Sequence, residues 1–248
     1  MNALSAQQIK FFKEYGYLAL EDFIEPVTVD AWRRSLADFL GTEPDHPESW
    51  DPQALRRNDE PFRVEPKERA LRNLPQMRSA LEQLGGGHVR GGTENLITRW
   101  PEPDKRWKLP HHGHIDLILL NFNWRFTLGA TTYLYEVEPQ GGAFCVWPGT
   151  HTLNWQYFQQ SPGCYFSGSQ DTARHQMEEK INARIKTPPL ELTGRPGTVF
   201  LWHSFLLHEA SRNVRPSPRV AFFYRWGEPV ENGTPVESFG DLWEHWAI

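Results

Sequence analysis

Cysteine is nearly absent from this chain. Cys145 and Cys164 are the two among 248 residues, which excludes the small secreted folds held by a disulfide framework. Cys145 lies in the apolar run "AFCVW" and reads as a buried free thiol, so a reducing, cytoplasmic setting is expected. Long hydrophobic runs are also missing. No stretch approaches the roughly 18 apolar residues of a membrane span, and "MNALSAQQIKFF" has no apolar segment behind a basic start, so neither a span nor a secretory leader is expected. Charge of one sign is not in excess: 26 Lys+Arg face 31 Asp+Glu, for a net −5. Without a basic run or an Arg-rich arm, nucleic acid and anionic membranes are not expected partners. Internal repeats and low-complexity tracts are lacking too.

What the chain does have is aromatic and β-rich sequence. Its 11 tryptophans suit either a ligand cavity or a broad core between sheets, and the core reading is preferred. The first 94 residues carry helical signals. Ser5 and Gln8 form a capping box, with Leu4 and Ile9 as a hydrophobic staple, and Gly16 ends the helix. A second helix starts near Pro26, with Val29, Trp32, Leu36, Phe39 and Leu40 as its apolar stripe and Gly41 as its stop. Residues 42–66 hold five prolines among charged residues and read as a surface excursion. "LPQMRSALEQLGGG" supplies a third helix.

From residue 95 to 226 the runs "NLITRW", "IDLILLNF", "FTLGATTYLYEV", "GAFCVW", "GTVFLWHSFLLH" and "RVAFFYRW" are short strands punctuated by Gly and Pro. They predict a mainly β fold with flanking helices, a sandwich or jelly roll (double-stranded β-helix, cupin-like) in one domain of 248 residues. Residues 152–190 form a long polar and aromatic insert of the kind that serves as a lid. Residues 227–248 form a tail, whose Leu242, Trp243 and Trp246 are expected on a short helix packed on its own domain.

The run "HHGHIDLILL" (111–120) carries the chemistry. Alternate strand residues share a face, so His114 and Asp116 project together and Ile115 faces the opposite layer. A buried carboxylate beside an imidazole costs free energy unless it is paired, hydrogen-bonded or bound to a cation. "WHSFLLHEASRNVRPSPRV" offers a third ligand in either His203 or His208. Two histidines and one carboxylate with open positions are the donor set of Fe(II) oxygenases.

Four motifs in order then carry a family resemblance over most of the chain. They are "LSAQQIKFFKEYGYLALEDFI", "HIDL", "QGGAFCVWPGTHT" and "GTVFLWHSFLLHEASRNVRPSPR". The sequence resembles the phytanoyl-CoA dioxygenase family of non-haem iron, 2-oxoglutarate-dependent oxygenases. The resemblance implies His114, Asp116 and His208 as ligands of Fe(II), with 2-oxoglutarate as cosubstrate and O2 as oxidant. It implies Arg219 as the grip on the distal carboxylate of 2-oxoglutarate, a role that suits a guanidinium fork. Thr131 and Ser211 are further candidates for cosubstrate contacts, and Ala210 stands where a serine is common. Because Asp116 is retained, where related halogenases carry a small residue, the expected outcome is hydroxylation, desaturation or ring closure of a small molecule, with release of succinate and CO2.

His112 at the mouth, and Trp155, Tyr157, Phe158, Arg174 and His175 in the insert, are the candidate substrate contacts, with the excursion near Trp50 as another. His111 is expected at the mouth, His151 in a structural hydrogen bond and His203 outside the ligand set. Arg225 shares parity with Arg219 and reads either as a second anion contact or as a solvated strand-end residue. Two rival readings stand beside the oxygenase. A cupin-like isomerase would keep the metal ligands without needing Arg219, and a jelly-roll binding protein would need neither. The sequence does not indicate an oligomeric state.

Overall fold

The structure is a computed structural model that describes residues 3–53, 62–116, 124–160, 179–229 and 240–248. The N-terminal part follows its sequence signals closely. Helix α1 (Ala6–Tyr15) opens with the Ser5–Gln8 capping box, and Gly16 closes it in the left-handed conformation at φ 76°. Strand β1 is Tyr17–Leu20. Helix α2 (Pro26–Leu40) begins on its proline and ends at Gly41, also left-handed at φ 67°. Proline lacks an N–H that the first turn would leave unpaired anyway, and glycine takes a positive φ without a Cβ clash. Helix α3 is Pro75–Gly85.

The β part consists of two antiparallel sheets. Strands β2 (Gly91–Arg99), β3 (Trp124–Tyr133), β6 (Val199–His203) and β8 (Arg219–Pro229) join β1 in a five-stranded sheet of order β1-β6-β3-β8-β2. Strands β4 (Phe144–Val146), β5 (Leu190–Leu192) and β7 (His208–Ala210) form a three-stranded sheet of order β5-β4-β7. Helix α4 (Thr150–Gln160) follows β4. The expected jelly roll is therefore present.

Each face of the large sheet has its own core. Val220, Phe222, Tyr224 and Trp226 of β8, with Leu128, Ala130, Val199 and Leu201, pack against Phe12, Trp32, Leu36, Met77 and Leu84 of the helices. Ala221 and Phe223, with Tyr133, Phe200 and Trp202, point into the sandwich and meet Phe144, Val146 and Leu192. Burying each of the Val, Leu, Phe and Met side chains among them stabilises the fold by roughly 1.5–3 kcal/mol. The period of two along β8 thus separates a structural face from a face that looks into the site.

Three expectations need correction. The proline-rich excursion is not confined to the surface: Trp50, Phe62 and Val64 are buried in the helical-face core, and Trp50 meets Tyr135 edge-on at 5.8 Å. Apolar anchors hold the excursion down despite its loop-like composition. The expected lid segment also begins as regular structure, in α4. Residues 161–178, with Arg174 and His175, lie outside the described residues, as does most of the "IDLILLNF" run. The tail packs on its own chain, as expected, but Leu242, Trp243 and Trp246 lie in turns and bends and not on the expected short helix. Trp246 lies 5.4 Å from Phe12, and the Ala247 N–H donates to the Leu84 carbonyl.

Candidate metal centre

His114 and His208, 94 residues apart in sequence, form an antiparallel bridge and exchange both backbone hydrogen bonds, at 2.9 and 3.0 Å. That exchange fixes the two imidazoles side by side, with ring centroids 4.4 Å apart. Asp116 follows on the same side. Its Oδ1 lies 3.8 Å from His114 Nε2 and 3.5 Å from His208 Nε2. Ile115 turns into the opposite apolar cluster with Trp147, Phe158 and Leu207. The three donor atoms lie within 4.8 Å of one another, and Asp116 is fully buried.

The surrounding groups set both tautomers. His208 Nδ1 is 2.9 Å from the Leu206 carbonyl, which can only accept, so Nδ1 carries the proton and Nε2 keeps its lone pair for a cation. His114 Nδ1 faces Glu209 Oε2 at 3.4 Å, with the same consequence. Arg99 donates to the other Glu209 oxygen at 3.1 Å. Burial would raise the Glu209 carboxyl, but bonds from His114 and the Ala210 N–H, with Arg99 nearby, hold it down at about 2.

Arg225 supplies what the sequence left open. Its Nε and Nη2 fork onto both oxygens of Asp116, the second at 3.2 Å. Burial alone would raise the Asp116 carboxyl, but His208 and Arg225 together hold it well below the usual carboxylate range. Arg225 also lies over the Trp202 ring at 5.7 Å. Trp202 in turn meets His208 at 4.7 Å and donates its Nε1–H to Thr131 Oγ1 at 3.1 Å. Opposite Trp202 in the sheet stands Gly129, where a Cβ would come within 2.1 Å of the indole. Only glycine leaves room for the ring to lie in the site.

Deeper on the same face of β8 is Arg219, 2% exposed. Its Nε donates to the Gly142 carbonyl at 3.0 Å, whereas Nη1 is buried with no hydrogen-bond partner. Burial lowers its pKa to about 10, with the Tyr133 hydroxyl opposing that shift, so it stays charged at neutral pH. An unpartnered guanidinium nitrogen inside a sandwich is costly. A carboxylate is the group it suits, which is the fit expected for one end of 2-oxoglutarate.

The other candidates separate. Thr131 shares this interior with Arg219, but Ser211 Oγ donates to Glu191 at 2.6 Å. His112 is exposed, two residues before His114. Trp155 is half-buried, and its Nε1–H donates to the Gly240 carbonyl. Tyr157 and Phe158 are buried in the cluster around Ile115. His203 is buried outside the triad and accepts from the Phe205 N–H. His151 donates to the Lys13 carbonyl at the end of α1.

Two imidazoles and a carboxylate on one side of a jelly-roll interior, with Arg225 forked onto the carboxylate, define the class: a fold carrying a facial-triad metal site. The sequence profile of the family described as Phytanoyl-CoA dioxygenase (PhyH) matches residues 12–221. The chain belongs to that family of Fe(II)- and 2-oxoglutarate-dependent oxygenases.

Solved structures agree in fold. EctD from S. alaskensis, crystallised with 2-oxoglutarate and 5-hydroxyectoine, is 18% identical, with 98% of this chain and 83% of that chain covered and a TM-score of 0.60. SnoK, a non-haem α-ketoglutarate-dependent carbocyclase from nogalamycin biosynthesis, is 20% identical, covering 98% and 97%, at 0.60. HygX from Streptomyces hygroscopicus, with nickel and 2-oxoglutarate bound, is 16% identical, covering 91% and 87%, at 0.53. No curated protein matches the chain significantly. Among the described residues no helix is long and apolar enough to cross a membrane.

Proposed function

We propose that this chain is a dioxygenase that oxidises a small molecule, by hydroxylation or by a related desaturation or ring closure, in the cytoplasm. His114, Asp116 and His208 would hold Fe(II), and Arg219 would bind the distal carboxylate of 2-oxoglutarate. The observation that carries this reading is Arg219: a buried, charged guanidinium with an unpartnered Nη1, on the interior face that also presents Arg225 to Asp116. A metal-dependent isomerase has no use for that group, and a sugar-binding jelly roll has no use for the triad.

The chain's own residues have distinct tasks here. Glu209 and the Leu206 carbonyl orient the imidazoles. Arg225 forks onto both Asp116 oxygens and fixes the carboxylate with Oδ1 turned toward both Nε2 atoms. Thr131, whose oxygen already accepts from Trp202, retains a hydroxyl proton to donate to a cosubstrate oxygen. Trp202, Phe144 and Phe223 exclude water from the interior. When bound, iron and 2-oxoglutarate supply the oxidising chemistry, with succinate and CO2 as coproducts. Small-molecule oxidation is supported by relatives such as EctD and HygX, solved with 5-hydroxyectoine and hygromycin B respectively. His112 at the mouth and Trp155, Arg174 and His175 of the insert are proposed to select the substrate.

Replacing Arg219 tests this. Arg219→Ala should weaken 2-oxoglutarate binding by about 10-fold or more, the worth of a charge-assisted bond, while metal stoichiometry is retained. Arg219→Lys should restore only part, because a point charge cannot reproduce the fork. Calorimetric titration with Mn(II) in place of iron reads both. Unchanged cosubstrate affinity in the Ala variant contradicts the assignment.

A further inference from the structure

A second cluster of metal-ligating side chains lies outside this site. His88 sits in the turn before β2, Glu228 near the end of β8 and His245 in the tail. One donor atom from each falls within 4.8 Å of the others. His88 Nδ1 and Glu228 Oε2 are already 2.7 Å apart, and the His88 and His245 rings stand 5.6 Å apart at 61°. All three residues are half-buried, so the side chains are partly fixed yet open to an ion from solvent. Arg90 competes for the carboxylate, with Nη1 3.5 Å from Glu228 Oε1, but its side chain is 64% exposed and has little to lose by swinging into water.

We propose that His88, Glu228 and His245 form a structural site for Zn(II) or a similar divalent transition ion, clipping the tail to the edge of the large sheet. Two imidazoles and a carboxylate are a borderline donor set that favours zinc over magnesium or calcium. Tetrahedral bonds of about 2.0–2.1 Å place ligand atoms roughly 3.4 Å apart. The His88–Glu228 pair therefore opens by less than an ångström and His245 closes in, with water as the fourth ligand. The consequence is mechanical. The tail holds Trp246 flat on buried His203, centroids 4.8 Å apart, and its Gly240 carbonyl accepts from Trp155 and Gln159 of α4. An ion at His245 would anchor that bridge between the helical layer and α4.

The test is a Zn(II) titration against a chromophoric chelator on the full chain, combined with thermal unfolding. In His114→Ala/Asp116→Asn, which removes the oxygenase ligands, one equivalent of zinc should survive desalting and raise Tm. Adding His88→Ala/His245→Ala should abolish both the equivalent and the rise. The same two alanines in the otherwise native chain should remove one equivalent and leave one, which also shows that the variant folds. No retained equivalent in the first variant, or one that survives loss of both histidines, overturns the clip. Either result leaves the oxygenase site as an independent question.

Discussion

At the scale of single residues, the decisive contact joins positions 109 apart in sequence, Arg225 and Asp116. His114 and Asp116 were legible because ligand chemistry restricts their types and strand parity puts them on one face. The residues alone left His203 and His208 open as the third ligand, and the family resemblance singled out His208. Arg225 was not. Its parity with Arg219 was visible, but a strand-end arginine has no signature that tells a solvated side chain from one forked onto a buried carboxylate. Glu209 was missed for the same reason: it follows His208 directly, yet its task is fixed by Arg99 and His114, which approach from other parts of the chain.

Arg225 has a measurable consequence. Removing one partner of a buried ion pair costs about 3–5 kcal/mol because the other charge is left uncompensated, and Asp116 is fully buried with Arg225 13% exposed. Arg225→Met should therefore lower the unfolding free energy of the metal-free protein by about that much. A divalent cation on Asp116 supplies the missing positive charge, so Mn(II) should stabilise the variant more than it stabilises the native chain. Urea unfolding with and without Mn(II) reads both quantities. Equal metal-induced stabilisation would show that Arg225 does not govern the carboxylate.

At the scale of elements, helices α1 and α2 were readable end to end, because caps and stop signals act within a turn. The start of the insert was less so: Thr150–Gln160 is a helix, although its polar and aromatic composition reads as a loop. The "PGTH" turn shows the difference. His151 was expected in a structural hydrogen bond, and it donates one in an unexpected place, to the Lys13 carbonyl near the end of α1. A Cβ on Gly16 would come within 2.5 Å of His151 Nδ1, so that glycine both ends the helix and makes room for the imidazole.

Burial lowers the His151 pKa from 6.5 to about 4. Burial likewise lowers His203, with His151 as a neighbour. Between those values the unfolded chain holds more protons than the folded one. Stability is therefore complete above about pH 6.5 and declines as pH falls toward 4. The depressed carboxyls, such as Glu209, begin to lose their contribution only below their ordinary value of 4.5. The urea midpoint should fall between pH 7 and pH 5, and His151→Gln should flatten that decline. A midpoint constant across this interval in the native chain would contradict the buried-neutral assignment.

At the scale of the whole molecule, the sandwich separates stability from chemistry across one sheet. Helices cover the face of Phe222, Tyr224 and Trp226. The opposite face carries Arg219, Phe223 and Arg225 toward the short sheet that contributes His208. The central claim is that this interior chelates iron and 2-oxoglutarate together, and it is tested most directly without oxygen. Fe(II) and 2-oxoglutarate would be added to metal-free protein and the visible spectrum followed, with native chain and Asp116→Ala side by side. A weak charge-transfer band in the native chain, lost or altered in the variant, is the predicted result. Metal binding with no such band would contradict the oxygenase assignment and favour a metal-dependent isomerase.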